Sequence, residues 1–231
     1  MKLSVIIPVY NEADSIASII EKVKSVSLPY SLKKQIVIID DGSTDDTPEI
    51  LGRYKDIPDI LIIHRDKNLG KAASVKVGIE NSDGDVLLIQ DADMEYTPDS
   101  YPDLLKPVVE DKVSVVYGSR FMGTIENMSF MCRIANIISN ITLRLLYSYH
   151  MTDMNTCYKL FKKDAIKDIE IKSRNFGFDA EITAKLIKKG YRIVEVPIKY
   201  KARSKKAGKK MTWLKALELY MVLIKYRFIK A

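Results

Sequence analysis

Short, unbroken runs of Val, Ile and Leu recur through the first half of the chain, each followed by a segment with helical spacing. Residues 3–8, 35–39, 60–64, 85–90 and 113–117 read as strands. Helical patterns cover about 14–26, 44–54 and 70–80, and Pro98 suits the first turn of a fourth helix. Strands without apolar–polar alternation are buried on both faces, a demand that parallel strands crossed over by helices meet. The expected fold class is therefore α/β, a mostly parallel, Rossmann-like sheet flanked by helices.

The second half is less regular. An apolar helical stretch covers 134–149, strands cover 156–161 and 191–200, and a helix over 179–188 stops at Gly190. Pro197 places the last strand near a sheet edge, because proline cannot donate to a ladder. A basic loop, 201–210, leads into a C-terminal amphipathic helix. There Trp213, Leu217, Tyr220 and Ile224 share a face, with Leu214, Met221 and Phe228 beside it and Lys215, Glu218 and Lys225 opposite. Such a face suits a membrane interface or packing on the domain. Residues 134–149 pose the same choice.

Charge is unevenly placed. The formal net charge is +7, yet from Lys199 to Ala231 eleven Lys/Arg stand against the single acid Glu218, so the remainder is net −3. A basic end of this kind suits phosphate groups, whether on a nucleotide diphosphate, an anionic membrane or a nucleic acid. No window reaches the ~18 uninterrupted apolar residues of a membrane-spanning helix. Cys132 and Cys157 have no CxxC partner or neighbouring His cluster, which argues against zinc or a disulfide scaffold. Residues 1–4 run straight into a strand pattern rather than a signal peptide, so a cytoplasmic location is expected.

In a parallel sheet, ligands bind beyond the carboxyl ends of the strands. Those positions here are Tyr10-Asn11-Glu12, Asp40-Asp41-Gly42-Ser43 and Asp91-Ala92-Asp93, all polar or acidic. Asp91 and Asp93 would repel each other in a cleft unless a divalent cation joined them, and Mg²⁺ or Mn²⁺ takes oxygens from one or two carboxylates plus substrate phosphates. Glu95 offers a third oxygen ligand. Asp41 can accept from a base edge or ribose hydroxyl, with Gly42 allowing a sharp turn. No G-x-G-x-x-G follows the first strand and no G-x-x-x-x-G-K-[ST] occurs, so dinucleotide and P-loop readings lose their support.

In their order along the chain, these segments resemble the family 2 glycosyltransferases, which have the GT-A fold. The resemblance rests on Val5-Ile6-Ile7-Pro8-Val9-Tyr10-Asn11-Glu12, Ile39-Asp40-Asp41-Gly42-Ser43, Asn68-Leu69-Gly70-Lys71 and Asp91-Ala92-Asp93. It continues through Tyr117-Gly118-Ser119-Arg120, Cys157-Tyr158-Lys159-Leu160-Phe161, Phe176-Gly177-Phe178-Asp179 and Glu195-Val196-Pro197. The pattern is most similar to the branch of dolichyl-phosphate mannose synthases and glucosyltransferases. The resemblance implies that Pro8, Tyr10, Glu12, Lys71 and Ala92 line a nucleotide-sugar pocket, with Asp41 near the base or ribose. It implies that Asp91 and Asp93 flank the diphosphate and metal, and that Arg120 and Arg133 face an acceptor phosphate. Arg203, with Lys209 or Lys210, would close over the diphosphate. Residues 1–231 then form one domain, with 1–120 as its nucleotide-sugar half and 121–231 as its acceptor side.

The expected function is inverting, metal-dependent transfer of a hexose, glucose or mannose, from a UDP- or GDP-sugar to a polyprenyl phosphate. The site would lie at the cytosolic membrane face, in contact with anionic lipid or a membrane partner. A phosphate acceptor is already ionised, whereas a hydroxyl of a glycan, protein or lipid needs a base, for which Asp179 is the candidate. Asp179 also suits a helix N-terminus. A nucleic-acid-binding module would use the basic C-terminus but leaves the acidic strand ends unexplained, and nucleotidyl transfer stands as a minor alternative.

Overall fold

The continuous apolar runs do become the interior of a sheet. The computed structural model describes residues 1–173, 177–203 and 213–229. Among these residues seven strands, β1 (Lys2–Val9), β2 (Lys33–Asp40), β3 (Ile60–His64), β4 (Val86–Ile89), β5 (Val115–Glu126), β6 (Lys159–Lys162) and β7 (Ile193–Lys201), lie in the order β3-β2-β1-β4-β6-β5-β7. The helices are α1 (Ile16–Ser25), α2 (Thr47–Gly52), α3 (Lys71–Glu80), α4 (Tyr101–Val109), α5 (Phe130–Tyr147), α6 (Lys163–Ile166), α7 (Gly177–Lys188) and α8 (Trp213–Phe228). Leu3, Val5, Ile6, Ile7, Val37, Ile38, Ile39 and Val86 to Leu88 are fully buried, as non-alternating strands require.

Strands β1 to β4 pair in parallel, as do β5 and β7. Among the described residues, β6 is the strand that runs against its neighbours, pairing antiparallel with both β4 and β5 and so joining the two parallel sets. Pro197 does sit on an edge strand, β7. The strand expected to end at Tyr117 continues to Glu126, because after an irregularity between Ser119 and Thr124 it pairs again with β7. Strand β1 lies between β2 and β4, where the order of connections reverses, and all three end on one edge (Val9 opposite Asp40, Ile6 opposite Ile89). That is where an open α/β sheet leaves a crevice.

Helix α5 is turned in an unusual sense. It buries Asn136, Ser139 and Leu143 while Phe130 is 74% and Leu145 78% exposed, with Met131, Ile137, Ile138 and Ile141 exposed as well. Helix α8 packs on α5 and α7 through Leu219, Leu223 and Tyr226, and leaves Met221, Ile224 and Phe228 outward. Of the face expected to hold Tyr220 and Ile224, Tyr220 is half-buried and its hydroxyl donates to Ala135 O of α5 (3.4 Å), while Ile224 is exposed. Both sides of α8 carry large apolar groups, so spacing alone did not select between them. The side chains of Trp213 and Leu217 lie outside the described residues. Among the described residues, no helix is long and apolar enough to cross a membrane.

Candidate active site

The turn after β2 is fixed by its own acids. Asp40 accepts from Ser43 N (3.0 Å) and pairs with His64 Nδ1 (3.0 Å). Asp41 accepts from Leu69 N (3.1 Å) and Gly70 N (2.7 Å) and pairs with Arg65 Nη1 (3.1 Å). Gly42 has φ +73°, and a Cβ there would stand 2.8 Å from the Lys67 backbone, so the two loops touch main chain to main chain. Asp41 was expected beside a base or ribose. It lines the cleft, but its carboxylate is only slightly exposed and is engaged in holding residues 69–70, which set the start of α3.

That placement carries Lys71 to the end of β4, where its ammonium pairs with Asp91 and lies 3.6 Å from Cys157 Sγ. The β4 turn is locked from below by Gln90, fully buried, whose Oε1 accepts from Tyr101 OH (2.7 Å) and Tyr158 OH (2.8 Å). Asp93 receives Arg203 Nη2 at 2.8 Å. The same guanidinium forks onto Glu12, Nη1 to Oε2 at 2.9 Å and Nη2 to Oε1 at 3.0 Å. Pro8, Tyr10, Glu12, Asp41, Lys71, Asp91, Ala92 and Asp93 thus line one cleft of about 590 Å³.

Its electrostatics are divided. Burial tends to raise the Asp91 carboxyl, but the Lys71 charge outweighs it and holds Asp91 below the ordinary carboxylate range. Burial, with the charges of Asp91 and Glu95 nearby, pushes Asp93 up to about 7 despite Arg203. Glu95, expected as a third metal ligand, is turned elsewhere: it accepts from Tyr200 OH (2.7 Å) and Arg203 N (2.7 Å). Among the described residues, no three Asp, Glu, His or Cys side chains converge to hold an ion. The chain offers Asp91 and Asp93, a donor set that fits Mg²⁺ or Mn²⁺ only if phosphate oxygens complete it.

Of the residues expected to serve the acceptor, Arg120 and Asp179 are paired within the protein. Arg120 is buried in a two-pronged pair with Asp153 (2.7 Å to each oxygen), also donates to Asn136 Oδ1 (3.0 Å), and lies over the Tyr200 ring. Arg133 is exposed on α5, with no contact joining it to Arg120. Asp179 is the counter-ion of Lys159, which is fully buried. Lys209 and Lys210 lie outside the described residues. Sequence reasoning missed Asp153 and Gln90 and gave Glu195 no role, though these three hold the site together. Glu195 receives Thr152 N (2.7 Å) and Asp153 N (2.8 Å) from a loop forty residues away in the chain, and no local spacing signals such a contact. It also missed Glu218, which lines the cleft from α8.

A family model described as glycosyl transferase family 2 matches residues 4–170. A dolichol-phosphate mannosyltransferase from Pyrococcus furiosus is 28% identical over 216 residues, covering 90% of this chain and 59% of that protein. An undecaprenyl-phosphate mannosyltransferase from Micrococcus luteus is 29% identical, covering 88% of this chain and 85% of that one. Among solved structures, glucosyl-3-phosphoglycerate synthase from Mycobacterium tuberculosis, with Mn²⁺, UDP and glucosyl-3-phosphoglycerate, superposes with a TM-score of 0.76. It is 15% identical and the match covers 100% of this chain and 81% of that one, a likeness of fold, GT-A.

Proposed function

The chain belongs to glycosyl transferase family 2, and from that premise we propose that it transfers a hexose from a nucleotide-diphosphate sugar to a polyprenyl phosphate at the cytosolic face of a membrane. The observation that carries the donor half is the cleft at the ends of β1, β2 and β4, where Asp91 and Asp93 each face a protein cation, Lys71 and Arg203. Breaking a sugar–diphosphate bond leaves negative charge on the departing oxygen. Lys71 and Arg203 are placed to receive it, in a partly enclosed site where such charges act strongly. A Mg²⁺ or Mn²⁺ held by Asp91 and Asp93, when bound, supplies Lewis-acid stabilisation of that same charge. The mannosyltransferase relatives and the Mn²⁺-bound structural neighbour support the donor and metal assignments.

A phosphate acceptor attacks as an anion and inverts the anomeric carbon without a base. The Lys159–Asp179 pair accords with this, since an Asp179 that took up a proton would leave Lys159 buried and uncompensated. On this reading residues 1–120 hold the donor and 121–231 serve the acceptor. The two free cysteines fit a reducing compartment. Thermal shifts with UDP- and GDP-sugars, with and without Mn²⁺, test the donor: a nucleotide at ~100 times its dissociation constant adds roughly 2.7 kcal/mol. Chromatography of the product from mixed polyprenyl-phosphate and sugar-hydroxyl acceptors tests the rest. Label appearing only on a hydroxyl would overturn the polyprenyl reading.

Helix α5 supplies the membrane contact. Its outward side is the apolar one, joined to exposed Met221 and Phe228 of α8 by packing that includes Tyr147 OH to Leu223 O at 2.8 Å. Around this face stand Arg133, Arg144, Lys225 and Arg227, all exposed, and α5 contains no acid. Apolar groups ringed by cations suit an anionic bilayer surface. Phe130→Asp with Leu145→Asp, two largely exposed positions, is expected to weaken co-sedimentation with anionic vesicles by about tenfold or more. Undiminished sedimentation would refute the assignment.

A further inference from the structure

The metal assignment meets an obstacle in the structure, and the obstacle points to an order of events. A divalent cation held by Asp91 and Asp93 would enter a rim whose carboxylates already carry protein cations. The Arg203 guanidinium forks onto Glu12 with its two terminal nitrogens at 2.9 and 3.0 Å and reaches Asp93 at 2.8 Å. Its backbone N–H is fastened to Glu95 Oε1 at 2.7 Å, which holds the residue over the rim. Lys71 is paired with Asp91 in the same way. A planar, permanently charged fork gripping two carboxylates is a directional cation site already filled.

We propose that Arg203 serves as the resident cation between Glu12 and Asp93 in the nucleotide-free protein, so that a divalent cation is admitted only together with a nucleotide diphosphate. The inference rests on the metal-dependent donor reading above and adds an order to it. A metal ion arriving alone finds Asp93 occupied and stands against two positive side chains. A diphosphate changes the balance, since its oxygens give Arg203 and Lys71 new anionic partners and release Asp93 and Asp91. Metal and nucleotide then favour each other, and the coupling is reciprocal by linkage. The two protein cations also offset part of the repulsion between the two aspartates. Arg203 is a positioning residue in this role, acting on the cation through Asp93.

The test is a titration of Mn²⁺ against the whole protein, with free Mn²⁺ read by electron paramagnetic resonance. It is done with MnCl₂ alone and again with saturating UDP or GDP, whichever raises the melting temperature more. In the wild type, nucleotide is expected to tighten Mn²⁺ by about tenfold or more. In Arg203→Ala, Mn²⁺ alone is expected to bind about tenfold tighter than to the wild type, and the enhancement by nucleotide to shrink. Arg203→Gln, closer in shape and uncharged, is expected to do the same, which separates loss of charge from loss of packing. If both variants bind Mn²⁺ alone no better than the wild type, the exchange is overturned while the transfer reading stands. If the wild type binds Mn²⁺ equally with and without nucleotide, the ordering fails in the same way. If it binds none even with nucleotide, the metal reading itself falls and takes this inference with it.

Discussion

Asp93→Asn is expected to lower sugar transfer by about 100- to 1,000-fold, the usual loss when one preorganised electrostatic contact to a transition state is removed. The replacement is nearly isosteric and keeps an oxygen for the Glu95 N–H, which Asp93 Oδ1 accepts at 3.1 Å. What disappears is the charge that faces Arg203 and, on the proposed reading, the metal. Stability is expected to move the other way. Burial and the neighbouring Asp91 and Glu95 charges put the Asp93 carboxyl at about 7, above its unfolded value near ~3.9. The stability that its protonated form lends is therefore full below about 4 and lost as pH rises through 7. At pH 8 the wild type carries that cost and the Asn variant does not, so the variant should melt no lower. Initial rates and thermal melts at pH 8 check both halves. A variant that transfers sugar normally would remove Asp93 from the chemistry.

Asp153→Ala should produce the largest loss of stability, about 3–5 kcal/mol, because it strips a buried cation of its partner. Asp153 is fully buried and Arg120 is 6% exposed. Besides both guanidinium contacts, Asp153 Oδ2 accepts the Arg120 backbone N–H at 2.9 Å, so its removal also leaves a buried donor without an acceptor. For a chain of this length the melting temperature should fall on the order of 10 °C. Replacing both members, Arg120→Met with Asp153→Leu, should recover much of that, since an apolar pair carries no stranded charge. A fall of under about 1 kcal/mol in Asp153→Ala would mean the pair behaves as a surface ion pair. Arg120 would then be available for an acceptor phosphate, as the family resemblance implied.

The sequence showed the residues of the strand-end cleft openly and the partners of Arg120 and Asp179 hardly at all. A buried parallel strand must be apolar throughout, and a polar cluster after it has little to do except cap a helix or meet a ligand. Glu12, Asp41, Asp91 and Asp93 could therefore be read as neighbours from the run that precedes each of them, Pro8 and Lys71 entered through the family resemblance, and one cleft collects all six. Strand β6 was legible as a strand, but its reversed direction was not. Direction depends on the path of the chain between β5 and β6, which local spacing does not encode.

Partnership was the quantity that sequence could not supply. Asp91 and Asp93 stood out as two acids one residue apart, and repulsion made an external cation the natural remedy. The fold instead brings Lys71 to one and Arg203, 110 residues further on, to the other. In the same way Arg120 is drawn to Asp153, Asp179 to Lys159 and Glu95 to Tyr200. Helix α5 shows the complementary case, where the sequence showed an apolar helical stretch but not that its polar side faces inward. Local order follows from apolar periodicity and turn chemistry, because both act between residues close in sequence. Which charge neutralises which, and which face of a helix is covered, depend on contacts between distant residues that exist only once the chain has folded.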